Sequence, residues 1–325
     1  TTAVLTAVNQ LLHWRLPVGG VFDLSGTTVY PKDAKKQTKN IVSGHRDVNA
    51  TSCPGKNLYK HLPEFRTSNG SNVPATEGPF TAFALTPALD DGKRGEILAI
   101  DQDGLLYAFL AESDGSIPTM RVYTSGFAGR RVMGPGDWNG DKKNDVITVT
   151  AEGVMYLHRG YGDGRLGVEA EIGHGWTPYR IIPAGDLDGD KINDLLAIDA
   201  DGVLWLYSGR GNGKFKPGRR EVGHGWTGFD CYAAADLNKD GKADILGVRK
   251  DGKLYAYFGN GKGHFSAAKE VGHGWGVFTL AAGADLNGDG LADIVGRDDK
   301  TGTLYYYQSK GGGNFAPYVK IATGW

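Results

Sequence analysis

GDLDGDKINDLLAI, residues 185–198, joins an acidic loop to an apolar strand, and the chain repeats this unit. GDWNGDKKNDVITV begins at 136, ADLNKDGKADILGV at 235 and ADLNGDGLADIVGR at 284, so the period is 49, 50 and 49 residues. One period earlier, PALDDGKRGEILAI at 87–100 is a weaker copy that keeps the strand start Glu96-Ile97-Leu98. Each copy has the same order of parts: an apolar strand, the acidic loop, a strand such as 194–198, a DG or EG turn, and an aromatic strand such as LWLYSG or LYAYFG. A Gly-rich turn and a last strand complete it. Four short strands and no helix in a fixed unit predict a β-propeller blade; a two-sheet sandwich does not repeat at this fidelity. Five copies over residues 79–325 predict a mainly β fold, a five-bladed β-propeller of four-stranded blades. The copies begin and end at matching boundaries, so the ring is expected to close without strand exchange.

The four clear loops place side-chain oxygens at positions 1, 3, 5 and 9. These are Asp137, Asn139, Asp141 and Asp145; Asp186, Asp188, Asp190 and Asp194; Asp236, Asn238, Asp240 and Asp244; and Asp285, Asn287, Asp289 and Asp293. Carboxylates held this close repel, and a hard divalent cation with oxygen ligands removes that cost, with a backbone carbonyl at position 7. Position 12 is Thr148, Ala197, Gly247 or Gly296 and a strand follows, so these are not EF-hands. The competing reading is a turn whose Asp and Asn side chains cap their own backbone. Turn chemistry does not by itself call for an acid at position 9, and four loops in phase point to four structural Ca2+ sites. The first copy has Ala88, Asp90, Gly92 and Glu96 at these places, and no ion is expected there. These repeats resemble the FG-GAP/VCBS propeller family over residues 79–325.

Four copies close on Gly-Trp, at Trp176, Trp226, Trp275 and Trp325, and the first closes on Gly126-Phe127. His174, His224 and His273 precede three of them. A three-histidine metal site would require three blades to converge on the axis, so a role in blade packing is the expectation. The tryptophans either wedge between blades or offer flat faces to sugar rings. The Gly-Trp rhythm with a nearby aromatic resembles tachylectin, a five-bladed lectin that binds N-acetyl sugars between blades, and the resemblance implies a glycan partner.

Before the repeats, Ala3, Val4, Leu5, Ala7, Val8, Leu11, Leu12 and Trp14 fall at helical spacing with Thr2 as N-cap, and Pro17 with Gly19-Gly20 ends the helix. A polar stretch over 25–40, a short strand at Ile41-Val42 and a short helix over 57–62 follow, and TSNGSNVPATEG at 67–78 reads as a linker. GHRDVNATSCPG, residues 44–55, sets His45 and Cys53 eight apart, and by spacing alone this is half of a zinc site. With its flanks, GHRDVNATSCPGKNLYKHLPEFR is similar to the C-terminal part of the type 2 N-acetylmuramoyl-L-alanine amidase and peptidoglycan recognition protein family, and residues 1–66 then form a partial α/β amidase domain. The resemblance implies that His45 and Cys53 are the second and third zinc ligands and that Thr51 steadies the oxyanion, zinc activating a water for amide cleavage. The family's first His ligand has no counterpart here, since His13 does not match it, so the Zn2+ site is incomplete in this chain.

The formal net charge is -1, from 36 basic and 37 acidic residues, which points to no nucleic-acid partner. No run of 18 apolar residues marks a membrane span. The opening residues lack a basic leader and an initiator Met, so a processed product or a chain missing its beginning is expected. Gly, at 51 residues, fits many tight turns between short strands. Cys53 and Cys231 leave a single disulfide open. Together these readings predict a secreted, extracellular monomer directed at peptidoglycan or another glycan, either a modular zinc amidase with a calcium-stabilised propeller or a non-catalytic lectin-like propeller with a vestigial amidase segment.

Overall fold

A computed structural model of the chain describes the backbone of residues 27–32, 35–40 and 80–325 other than 124, 234 and 235, and the side chains of 80–325 other than 124, 231 and 233–235. The chain separates into two compact units, residues 1–77 and 78–325. The expected helices at 3–14 and 57–62, the strand at 41–42, the linker at 67–78 and the Cys53–Cys231 question lie outside what is described. In the first unit, β1 (Thr27–Lys32) and β2 (Lys35–Asn40) form an antiparallel hairpin with Thr27 opposite Asn40 and Lys32 opposite Lys35. From the sequence this segment is legible only as a polar stretch. Its Thr, Val and Tyr favour a strand, but Lys and Thr on both faces erase the alternation that marks one.

In the second unit the second strand of each repeat is a short apolar run: β4 (Glu96–Ile100), β8 (Asp145–Val149), β12 (Asp194–Ile198), β16 (Ile245–Arg249) and β20 (Asp293–Asp298). In the first three of these every residue is buried. A strand covered on both faces shows no alternation, which is why the runs read as continuous Val, Ile and Leu. They pair on one side with the first strands, β3 (Ala82–Thr86), β7 (Arg131–Gly136), β11 (Arg180–Gly185), β15 (Phe229–Ala233) and β19 (Phe278–Ala284). On the other side lie the third strands, β5 (Leu106–Leu110), β9 (Met155–His158), β13 (Leu204–Tyr207), β17 (Leu254–Tyr257) and β21 (Thr303–Tyr307). The outer strands are β6 (Thr119–Val122), β10 (Ala170–Gly173), β14 (Arg220–Gly223), β18 (Lys269–Gly272) and β24 (Val319–Ala322). A small hairpin, β22 (Ser309–Gly311) with β23 (Asn314–Phe315), decorates the last blade.

Each sheet therefore takes its strands from one repeat only. The first strands pack side by side around the axis, and β19 returns to β3, so the described residues form a closed ring of five blades. They enclose an axial cavity of about 500 Å3 lined by residues such as Leu85, Met133, Ile181, Pro183 and Leu280. Among the described residues no strand crosses from one repeat into another, as the repeat boundaries led one to expect.

Side chains close the ring instead. Trp325 packs on Phe80 and Phe109, ring centroids 4.3 and 4.8 Å apart, in one buried cluster with Ile97, Val295 and Leu304. Across the same seam Gly95 N–H donates to the Asp285 carbonyl at 2.6 Å, and Arg297 Nη1 donates to the Phe80 carbonyl at 2.8 Å.

The tryptophans of the other Gly-Trp pairs do the same work. The N–H of Trp176, Trp226, Trp275 and Trp325 donates to the turn glycine between the second and third strands of its own blade, Gly153, Gly202, Gly252 and Gly302. The ring crosses to the next blade: Trp176 meets Tyr207 at 4.8 Å, Trp226 meets Tyr257 at 4.7 Å and Trp275 meets Tyr307 at 4.6 Å. All four are 5–8% exposed, which is the packing reading of the Gly-Trp repeat. Truncating one such buried Trp to Ala typically costs about 3–5 kcal/mol. In blades 2 to 4 the glycine two residues ahead of the GW pair is fixed by this wedge, since a Cβ at Gly223 would stand 2.8 Å from Trp226 Nε1.

Candidate functional site

The acidic loops connect the first and second strands of blades 2 to 5. Their position-1 acids cap the loop: Asp186 accepts from the N–H of Gly189 at 2.7 Å and of Lys191 at 2.8 Å, and Asp137 does so for Gly140 and Lys142. Positions 4 and 6 adopt left-handed backbone in every loop, and Lys142, Lys191 and Lys239 do so although they are not glycine. Positions 3 and 5 accept the N–H two residues on, as from Asp190 to Asp188 at 3.3 Å and from Ile192 to Asp190 at 2.9 Å. The self-capping turn is thus fully formed in these loops.

Position 9 has a use that its spacing did not reveal. Asp145, Asp194, Asp244 and Asp293 are fully buried. Asp194 accepts from Leu187 N–H in its own loop at 3.0 Å and from Gly209 N–H, after the third strand, at 2.9 Å. Asp145, Asp244 and Asp293 make the same pair of bonds, to Trp138 and Gly160, Leu237 and Gly259, and Leu286 and Ser309. Gly209 must be glycine, because a Cβ there would stand 2.1 Å from the Asn193 carbonyl. The carbonyl of the same position-2 residue then accepts from a glycine of the following blade: Leu89 from Gly164, Trp138 from Gly213, Leu187 from Gly263 and Leu237 from Gly312. The position-9 acid therefore anchors the loop on which the next blade docks. Burial pushes all four of these carboxyls up to about 6.

A carboxylate oxygen has more than one lone pair, so these bonds leave room for a cation. Asp186, Asp188 and Asp194 bring oxygens within 4.8 Å of one another, the one acidic trio gathered this closely among the described residues. A set of hard carboxylate oxygens suits Ca2+. In blade 2 Asn139 turns its Nδ2 toward Asp145, at 3.0 Å, and in blade 5 Asn287 turns its Nδ2 toward Asp289 and the Tyr306 hydroxyl, so these loops are less gathered. The position-5 acids have partners on their own blades: Asp141 with Arg159, Asp190 with Lys216, Asp240 with Lys242 and Asp289 with Gln308.

Blade 1 differs, as Ala88 and Gly92 in its loop foretold. Arg121, from β6, bridges Asp90 and Glu96, its Nη1 2.9 Å from Glu96 Oε1, while Leu89 N–H donates to the same carboxylate at 3.2 Å. A guanidinium thus stands between the acids of positions 3 and 9. Sequence reading missed Arg121 because a basic residue recurs at its place, as Arg220 and Lys269, and only the folded blade shows which acids it meets.

The blade boundaries carry a second recurring feature. Between blades 2 and 3, a cleft of about 420 Å3 is lined by His174, Trp176, Tyr207, Phe215, Lys216 and Arg219. His174, His224 and His273 are all exposed beside their tryptophans, so they do not gather into a metal site. Between blades 1 and 2 the corresponding pair is Phe127 and His158, 5.3 Å apart; burial pulls His158 down to about 4, and its Nε2 lies 2.9 Å from Thr148 Oγ1. His45, Thr51 and Cys53, the zinc and oxyanion residues implied by the amidase resemblance, lie outside the described residues.

With this geometry in view, the FG-GAP-like repeat family model matches residues 137–196, 186–247 and 236–296, the blades with regular acidic loops. No curated protein sequence matches the chain. Among solved structures, an Agrocybe aegerita lectin described as recognising non-reducing terminal N-acetylglucosamine aligns at 17% identity, covering 79% of this chain and 84% of its own, with TM-score 0.47. The BP39L lectin from Burkholderia pseudomallei aligns at 16% identity over 78% of this chain and 74% of its own, with TM-score 0.46. AofleA from Arthrobotrys oligospora aligns at 11% identity over 80% of this chain and 76% of its own, with TM-score 0.43.

Proposed function

We propose that the chain is a non-catalytic, lectin-like glycan-binding propeller, with its sugar sites in the clefts between blades and Ca2+ holding the acidic loops. The observation that carries this reading is the cleft at the blade 2–3 boundary, where the edges of Trp176, Tyr207 and Phe215 meet exposed polar side chains. Aromatic edges and faces take up the C–H surface of a pyranose, and polar groups around them fix its hydroxyls. The boundaries after blades 3 and 4 repeat the aromatic part with Trp226 and Tyr257, then Trp275, Tyr307 and Phe315. Aromatic boundaries that recur around one ring favour avidity for a surface that displays many copies of a sugar.

Calcium enters as a structural ion. The support is the Asp186, Asp188 and Asp194 trio and the left-handed loop that presents it. When bound, the ion neutralises converging carboxylates; the protein's own part is to hold them in place through their backbone donors.

The test of the glycan reading is a glycan array probed with the full chain, followed by Tyr207→Ala. Tyr207 is half-buried and also meets Trp176 across the boundary, so this change removes a cleft wall, and a melting curve of the variant is read beside its binding. Binding to a sugar class on the array, weakened about tenfold by the substitution, is expected from loss of one aromatic contact of about 1–2 kcal/mol. Silence across the array overturns the reading.

A further inference from the structure

Among the positions that differ between the blade boundaries is the one immediately before each fourth strand. It is Glu169 in blade 2, Arg219 in blade 3, Ala268 in blade 4 and Tyr318 in blade 5. Only the blade 3 position brings a cation into a cleft lined by Trp176 and Tyr207.

Arg219 is exposed and its guanidinium lies 3.9 Å from the centre of the Trp205 ring. Its Nη1 donates to two phenol oxygens, those of Tyr179 and of Tyr207, the latter at 3.1 Å. A guanidinium has five N–H donors in a planar fork, so Nε and Nη2 remain for an outside acceptor. No carboxylate among the described residues comes within ion-pair distance of it. Asp199, the acid whose charge Arg219 feels, is occupied by Trp205 Nε1 at 2.7 Å and by the N–H of Asp201 and Val203.

Two other arginines stack on the corresponding aromatic of their blades and show the contrast. Arg130 lies over Tyr156 and is neutralised by Glu169 at 2.6 Å; Arg249 lies over Tyr255 and pairs with Asp251. Lys216, the other cation of the blade 2–3 cleft, is held by Asp188 and Asp190. Arg219 alone of these has its charge uncompensated, and it is fixed in place by a ring beneath it and two phenols beside it.

We propose that the cleft between blades 2 and 3 selects a sugar that bears a carboxylate, and that the free edge of Arg219 receives that carboxylate as a two-point pair. The proposal rests on the glycan-binding reading and narrows it to one ligand class at one of the clefts. A planar fork matches a carboxylate in geometry, and a charge-assisted pair at a partly dry aromatic wall is stronger than a neutral bond.

The experiment is isothermal titration of the full chain with N-acetylmuramic acid and with N-acetylglucosamine, which differ by a lactyl ether that carries a carboxylate. N-acetylneuraminic acid, with its carboxylate on the ring, is the third titrant and identifies which placement of the acid the cleft takes. An acidic sugar is expected to bind about tenfold more tightly than the neutral one, the worth of a charge-assisted hydrogen bond. Arg219→Met keeps the apolar stem on Trp205 and is expected to erase the preference, so that the acidic sugars bind no more tightly than N-acetylglucosamine to the same variant; Arg219→Lys is expected to keep part of it. Neutral binding with no preference for either acid, or a preference that survives Arg219→Met, overturns the proposal and leaves the glycan reading intact. No binding of any of the three sugars by the unaltered chain overturns both.

Discussion

The acidic loop of blade 1 carries its own cation, Arg121 between Asp90 and Glu96, whereas that of blade 3 gathers Asp186, Asp188 and Asp194 and gives Lys216 only to Asp188 and Asp190. Asp186 and Asp194 have no side-chain cation within ion-pair reach among the described residues. Both loops present the same backbone feature, a buried position-2 residue whose N–H is tied to the position-9 acid. A tethered guanidinium is always present but cannot adjust; in blade 1 the buried Glu96 Oε2 is left without a hydrogen-bond partner. A divalent ion adjusts to its ligands but is present only in proportion to its concentration. One loop is therefore self-sufficient, and the other is open to control from outside.

The largest effect that would break this contrast comes from Arg121→Met. Glu96 is 2% exposed, and removing its cation leaves a buried carboxylate uncompensated, at a cost of about 3–5 kcal/mol in urea unfolding. Added Ca2+ is expected not to restore it, because Ala88 and Gly92 stand where ligands at positions 1 and 5 are needed. Recovery in Ca2+ would show that the two loops are equivalent after all.

A medium effect follows from acidity. Asp145, Asp194, Asp244 and Asp293 are raised by burial from 3.8 to about 6, so the folded chain without metal holds their protons more tightly than the unfolded chain does. Their contribution to stability is full below 3.8 and is lost as pH rises through about 6. Melting curves in chelator are expected to shift downward between pH 4.5 and 7.5. Saturating Ca2+ at pH 7.5 should reverse the shift, by about 2.7 kcal/mol per site at a hundred times the dissociation constant, and should do little at pH 4.5. Identical melting temperatures with and without chelator at pH 7.5 would remove calcium from the description of the loops.

The smallest effect sharpens the loop shape itself. Lys191 has φ of 69°, a left-handed conformation that penalises a side chain, so Lys191→Gly is expected to stabilise blade 3 by about 1 kcal/mol. A neutral or destabilising result in thermal unfolding would mean that the lysine side chain makes a contribution that offsets this strain.

The blade was readable from the sequence because its strands, turns and loops recur in phase, and periodicity is a signal that local ambiguity cannot hide. GDLDGDKINDLLAI located the loop, the strand that follows it and the trio Asp186, Asp188 and Asp194. The reason for an acid at position 9 was not readable. Asp194 answers two backbone N–H groups, from Leu187 and Gly209, and the second belongs to a turn 15 residues away that only the folded blade brings near. Arg219 was hidden for the opposite reason: it occurs once, so the repeat averages it away, whereas Arg121 shares its place with Arg220 and Lys269 and only its acidic partners set it apart. The tryptophans fell between, since recurrence marked them as important but only the centroid distances show that they bind blade to blade.

The seam between blades 5 and 1 has a mechanical consequence. Every blade is folded from one unbroken stretch, so no strand hydrogen bonds bind β24 or β19 to the sheet of blade 1. Tension applied between residues 80 and 325 would load Trp325 against Phe80 and then the bonds from Gly95 to Asp285 and from Arg297 to Phe80 one at a time. A ring latched by a shared strand would instead be pulled in shear, with all its ladder bonds resisting together. At this seam buried side-chain packing and isolated hydrogen bonds stand in place of a strand ladder, so opening it breaks none of the five blade sheets.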